Sequence, residues 1–372
     1  MTKRKWRSLS PLFGGALVES LLVNALPRPH VLCMDHAWKL CPVLKLLPLK
    51  AVMAGVVAMV AWVPLGAAQD APRAWHSEWP DTDFSRHTID YAEILSGGPP
   101  KDGIPAIDNP QFEPIHGSQD IPATEPVIVL SHGGETKVYP LRIMMWHEIV
   151  NDEIGGQPVA VTYCPLCNAA IVFDARLGGQ ILTFGTTGKL RNSDLVMYDR
   201  QTQSWWQQFS GDAIVGRLTG QSLTVLPARI DSFARAKSRH PDAQILVPNA
   251  GMSRQYGSNP YVGYDTANRP ILFVGDLPEG LNPMMRVIVV DGKAWTLELL
   301  RKKKSIVYQD LVLRWVAGQN SALDTHTIAK GRDVGNVIVQ RKNTSGPVDV
   351  AHHVTFAFVF HAFHPKGQLF TD

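Results

Sequence analysis

Val159 to Trp206 reads VAVTYCPLCNAAIVFDARLGGQILTFGTTGKLRNSDLVMYDRQTQSWW, and its alternation of apolar runs with turn residues decides the fold. Val159-Ala160-Val161-Thr162-Tyr163 reads as a strand, because β-branched and aromatic side chains suit a pleated surface. Cys164-Pro165-Leu166-Cys167 follows directly, then a second apolar run, Ala169 to Phe173. After the Leu177-Gly178-Gly179-Gln180 turn comes a third run, Ile181 to Phe184. Short strands around Gly-Gly make a hairpin, so the two cysteines fall on a tight turn feeding a sheet.

A Cys-Pro-x-Cys turn can aim backbone N–H groups at its sulfurs and favour thiolate. Three uses remain open. The sulfurs can ligate Zn²⁺ or Cu(I), cycle with a disulfide, or form a disulfide that only braces the turn. A thioredoxin-type site needs a helix after the second cysteine, whereas Asn168 and an apolar run follow here. The turn is closer to one knuckle of a zinc ribbon, yet the later chain has no second Cys pair.

The blocks Thr162-Tyr163-Cys164-Pro165-Leu166-Cys167 and Leu190-Arg191-Asn192-Ser193-Asp194-Leu195-Val196-Met197-Tyr198-Asp199-Arg200 resemble a bacterial family known only as domain of unknown function 3179. The resemblance extends to Gly103–Pro110, Tyr139-Pro140-Leu141, Trp146–Asp152 and Ala362-Phe363-His364-Pro365, and so spans most of the chain after about residue 85. It implies no activity, since none is established for that family. Two departures stand out: Gly185-Thr186-Thr187-Gly188 replaces a Gly-Val-Ser-Gly type segment, and His361 replaces an aromatic residue.

The 36 basic and 33 acidic residues are unevenly spread. Residues 1–68 hold eight Lys or Arg and two acids, leaving 28 against 31 in the rest. A body without a basic stripe argues against nucleic acid as a partner. Ala51 to Val63 is an apolar stretch after Lys39, Lys45 and Lys50, and Gly66 and Ala68 suit signal-peptidase cleavage before Gln69. Residues 1–68 are therefore read as a leader that exports the protein to the periplasm or beyond, with an uncleaved anchor as the alternative. Cys33 and Cys41 fall in that leader, which leaves Cys164 and Cys167 in an oxidising compartment.

Seven prolines within 99–126 make 69–126 an extended arm, anchored by Trp75 and Trp79. Val127–Leu130, Gly133-Gly134 and Thr136–Tyr139 read as a hairpin, followed by a helix from Leu141 to Val150 that carries His147. His147-Glu148-Ile149-Val150-Asn151 lacks the second His of a zinc-protease helix, so that activity is excluded. Ala228 to His240 reads as an amphipathic helix stopped by Pro241, and Val354 to Phe360 as a strand. Val287 to Leu297 echoes Val127 to Leu141.

The reading is an α+β fold, predominantly β, of antiparallel hairpins with a few short helices and two related β-rich halves, 127–226 and 227–372. Metal or redox candidates are Cys164 and Cys167, with His147 and His364 as helpers. Arg191, Asn192, Ser193, Asp194, Tyr198, Asp199, Arg200 and Trp205 are pocket candidates, although Arg191 to Asp194 could equally serve a turn. His352, His353 and His361 lie near His364 in the sequence. The favoured function is binding of a metal, Cu or Zn, or of a thiol at the Cys164/Cys167 turn, with a small ligand or a metal as the expected partner. A scaffold or ligand-binding module with a structural disulfide, and a thiol–disulfide oxidoreductase, are the alternatives. No Gly-x-Ser-x-Gly elbow, Walker loop or dinucleotide fingerprint is present, and whether the protein is an enzyme stays open.

Overall fold

A computed structural model describes residues 70–118, 120–249, 251 and 254–372. The leader reading of 1–68, with Cys33 and Cys41, lies outside the described residues. Among those described, no helix is long and apolar enough to cross a membrane.

The arm opens with α1 (Arg73–Glu78), β1 (Ile94–Ser96) and β2 (Gln111–Pro114). Trp79 is fully buried, edge-on to Tyr198 at 4.8 Å and Trp205 at 5.3 Å. Ile107 exchanges backbone hydrogen bonds with Ile149 and Asn151, so the arm is sewn into the sheet behind it.

Beyond the arm the chain runs through β3 (Pro126–His132), β4 (Glu135–Pro140), α2 (Leu141–His147), β5 (Ile149–Ile154), β6 (Gln157–Cys164) and β7 (Ala169–Asp174). Gly133-Gly134 and Gly155-Gly156 take the positive φ values that two-residue hairpins require. The helix stops three residues before the expected Val150. Glu148 turns to φ 57°, and Ile149 and Val150 pair with Thr162 and Val161. Their β-branched side chains prefer that ladder to another helical turn.

An insertion follows: β8 (Arg176–Leu177), β9 (Gln180–Ile181), β10 (Phe184–Arg191), β11 (Asp194–Asp199), β12 (Trp205–Gln207) and β13 (Ala213–Val215). Its main sheet has the order β1-β10-β11-β12-β13. The chain then returns through β14 (Val225–Leu226), β15 (Ala228–Ser232), α3 (Phe233–Arg239) and β16 (Gln244–Val247). Only Phe233–Arg239 of the expected helix is helical. Ala228–Ser232 pairs with Pro126–Leu130, which presents a free strand edge to it. A boundary at 226/227 therefore cuts through a sheet, since β15 and β16 join β3 and β4.

The last third contains β17 (Arg286–Val290), β18 (Lys293–Thr296), α4 (Leu297–Lys303), β19 (Ser305–Tyr308), β20 (Leu311–Val316), β21 (Asn336–Arg341), β22 (Val348–Asp349), β23 (His353–Phe356), α5 (Ala357–Phe363) and β24 (Leu369–Phe370). The expected strand Val354 to Phe360 ends at Phe356. From Ala357 the chain winds into a helix whose Ala357, Phe358, Val359 and Phe360 are buried. The order β23-β17-β18-β24 repeats β15-β3-β4-β16, and β22-β21-β20-β19 repeats β14-β7-β6-β5. Local geometry repeats as well. Lys304 after α4 has φ 62°, as Glu148 has 57° after α2. His-Pro-x-x-Gln closes both α3 (His240–Gln244) and α5 (His364–Gln368), and in each the following strand lies parallel to the second strand of the hairpin.

The copies differ where loops are free to grow. In the first, the Cys turn joins β6 to β7 and the insertion lies between β7 and β14. In the second, residues 317–335 join β20 to β21. There Ser321 and Arg332 bind Asp265, which also pairs with Arg286 at 2.9 Å.

Candidate functional site

The Cys turn is one turn of 3₁₀ helix, Pro165–Cys167, closed by Asn168 in the left-handed region. Proline suits its first position because no donor is lost there. Two bonds anchor the turn to the second repeat: Thr355 Oγ1 donates to the Cys167 carbonyl at 2.7 Å, and Asn168 Nδ2 donates to the Val354 carbonyl at 3.0 Å.

The β10–β11 hairpin meets it from the insertion. Arg191 pairs with Asp194 across a two-residue loop, and Asn192 and Ser193 both have positive φ, 54° and 61°. Such a loop favours Asn or Gly; a serine there is strained. Its carbonyl faces both cysteines, accepting from Cys164 Sγ at 3.6 Å and Cys167 Sγ at 3.5 Å. Ser193 Oγ in turn bonds the Ile271 carbonyl.

The same turn delivers Asp194. One donor atom from each of Cys164, Cys167 and Asp194 lies within 4.8 Å of the other two, and all three residues are buried. Both thiols are free. Asp194 Oδ2 accepts from Gln207 Nε2 at 2.6 Å and the Phe209 N–H at 2.8 Å, whereas Oδ1 has no hydrogen-bond partner among the described residues. The thiols lie near enough to favour its ionised form without reaching hydrogen-bond geometry.

Burial pushes the Cys164 thiol up, opposed by its neighbour Cys167 and reinforced by Asp194 and Glu148. Cys167 is driven further up, by burial first and then by Cys164 and Asp194. Asp194 is raised to about 6, burial outweighing its two donors. Glu148 is raised to about 8 by burial and by Asp194. Four acids thus crowd one apolar volume, where burial is the largest cause disfavouring ionisation of each.

Glu148 reaches this place through strand register. Ile149 pairs with Thr162, and Glu148 accepts the Tyr163 N–H at 2.8 Å, one residue before Cys164. Its carboxyl makes no hydrogen bond or ion pair among the described residues. The sequence shows Glu148 in the Trp146–Asp152 block of the family resemblance and in a failed zinc-protease pattern; the β5–β6 pairing is what sets it beside the cysteines.

The helper histidines stand elsewhere. His147 is buried, with Nδ1 on the Pro105 carbonyl and Nε2 on Tyr256 Oη, both at 2.8 Å. His364 packs against Phe360 and Phe209, and burial lowers its pKa. Neither belongs to the three-donor group. His352 and His353 are pushed down by burial to about 4 and about 3, and His361 lies on α5.

Of the pocket candidates, Ser193 and Asp194 come to the cysteines. Arg191 binds Glu93 and Gln207, and Tyr198 Oη donates to Asp102 at 2.5 Å. Asp199 accepts from Thr202 and Trp206 Nε1, while Arg200 pairs with Asp108. Trp205 and Trp206 face opposite sides of β12. Trp205 enters the arm's aromatic cluster, apart from the cysteines, and Trp206 enters the main core that also holds Cys164 and Cys167.

Residues 101–367 match the family model described as "Protein of unknown function (DUF3179)". No curated protein and no solved structure matches the chain.

Proposed function

The chain belongs to the DUF3179 family, whose function is unknown, and we propose that Cys164, Cys167 and Asp194 form a binding site for a thiophilic metal ion, with Zn²⁺ a better fit than Cu(I). One observation carries this reading: three buried acidic donors lie within 4.8 Å with Asp194 Oδ1 unpartnered. Buried acids that repel one another's charge are costly, and a cation reverses the sign of that interaction. Two sulfurs suit Zn²⁺ and Cu(I) alike, but a carboxylate oxygen suits zinc. Three protein donors leave a fourth position open to a further ligand. When bound, such an ion supplies Lewis acidity; the protein's part is to present the sulfurs against the Ser193 carbonyl and exclude bulk water.

Elemental analysis of anaerobically purified protein tests this. About one zinc per chain is expected, with at least a hundredfold weaker binding in Cys164→Ser and a marked loss in Asp194→Asn. Two titratable thiols and no zinc uptake at micromolar Zn²⁺ would sink it.

The adjacency of the two sulfurs also favours a dithiol–disulfide couple, the second reading. Burial raises both thiols and so works against thiolate attack. A reduction potential below about −300 mV would mark any disulfide as structural rather than exchanging. Export by the 1–68 leader belongs to the same proposal, and N-terminal sequencing of protein from the periplasmic fraction, expected to begin near Gln69, tests it.

A further inference from the structure

Beside Cys164 lies a cavity of about 150 Å³ whose walls include Ile104, Leu166, Leu190 and Ile271, with Cys164 and Glu148. It has room for about five water-sized groups. Lys189 also borders it, but its ammonium is bound to Glu78 at 2.7 Å. Thr186 and Tyr261 add hydroxyls to the wall, and Thr186 Oγ1 donates to the Ile104 carbonyl at 2.8 Å. Glu148 is its acidic side chain, and it has no cationic partner among the described residues.

The internal repeat provides a comparison within one molecule. Glu148 and Lys304 end equivalent helices with the same positive φ, so that backbone conformation belongs to the fold. The side chains differ in kind. Lys304 is exposed, and its repeat has no Cys turn; Glu148 is buried beside the thiols. A partnerless buried acid costs stability, and of these two positions it stands only where the sulfurs are.

We propose that this cavity binds a small uncharged molecule, largely aliphatic with one carbonyl or hydroxyl oxygen, and that the oxygen lies between Glu148 and a metal held by Cys164, Cys167 and Asp194. The inference rests on the metal reading. Apolar walls disfavour any charged ligand through desolvation, and the two sulfurs and two carboxyls repel anions in particular. The volume limits the ligand to about five or six heavy atoms. Glu148, the acidic wall group at the Cys164 end of the cavity, calls for an oxygen head there, and the aliphatic side chains take the rest of the ligand.

The test uses full-length protein loaded with Co²⁺ and straight-chain amides from acetamide to hexanamide, read by paramagnetic relaxation of the amide protons. Affinity should rise about fourfold per methylene, the factor for burying one CH₂, and then fall once the cavity is full. Ile104→Trp should abolish binding, and Ile104→Ala should move the optimum to a longer chain. Glu148→Gln should leave the Co²⁺ stoichiometry and visible spectrum unchanged while weakening amide binding about tenfold. One Co²⁺ per chain with no chain-length dependence, or with no effect of Ile104→Trp, overturns the pocket and leaves the metal reading standing. A Glu148→Gln spectrum altered without amide makes Glu148 a metal ligand and likewise overturns it. Absence of Co²⁺ binding overturns both.

Discussion

At the scale of single residues, the Cys turn is surrounded by acids buried among apolar side chains. Glu148 illustrates the consequence for pH. Its folded pKa, about 8, lies above the ordinary 4.5, so its contribution to stability is fully present below pH 4.5 and lost as pH rises through 8. Metal-free protein should therefore lose on the order of 2–4 kcal/mol across that range. Glu148→Gln should flatten the profile, as denaturant titrations at pH 5 and pH 8 would show; an unchanged slope would refute the assignment. Metal should reduce the same slope, because a cation favours the ionised carboxyl. Cys164 and Cys167 could be read as a site from their spacing, and Asp194 as a nearby candidate. Glu148 could not, because its partnership with the thiols depends on which residue of β5 faces which residue of β6.

At the scale of elements, turns decide where chemistry can be placed. The Asn192-Ser193 loop directs Ser193's carbonyl and Asp194's carboxylate to the cysteines, and the arm covers the strand that leads to it. Gly188 on β10 has φ 71°, and a methyl built there would run into the Pro99 carbonyl oxygen. Gly188→Ala should cost about 2 kcal/mol or more and release the 97–103 segment. Limited proteolysis near Lys101 would report that release, and equal protection in both proteins would contradict it. Periodicity located α2 and α3 but overran both, because the residues after Glu148 and before Phe233 are claimed by sheet partners far away in sequence. Val354 to Phe360 failed in the opposite sense. Its β-branched and aromatic content reads as strand, yet from Ala357 those side chains cover the core as a helix.

At the scale of the whole molecule, the described residues form one compact unit in which one topology is used twice. The second copy holds the turn of the first through Thr355 and Asn168. Thr355→Val should cost about 1–2 kcal/mol, leaving the Cys167 carbonyl short of its donor, and should weaken metal binding without touching a ligand. Trp79→Ala should cost about 3–5 kcal/mol, because that ring fills the space between Tyr198 and Trp205. Thermal unfolding followed by tryptophan fluorescence and by near-UV circular dichroism should coincide in one transition; two separated transitions would show that the copies unfold independently.

Residue type and spacing alone determined that this chain is β-rich, that several of its hairpins close on Gly-Gly turns, that Cys164 and Cys167 share one turn, and that Val287–Leu297 echoes Val127–Leu141. These are local properties, fixed by backbone preference and by what a thiol can do. Only the tertiary structure decided that Asp194 and Glu148, not His147 or His364, stand beside the sulfurs. Strand register and a two-residue loop make that choice, and both are set by how sheets bury their apolar faces, which no short stretch of sequence records.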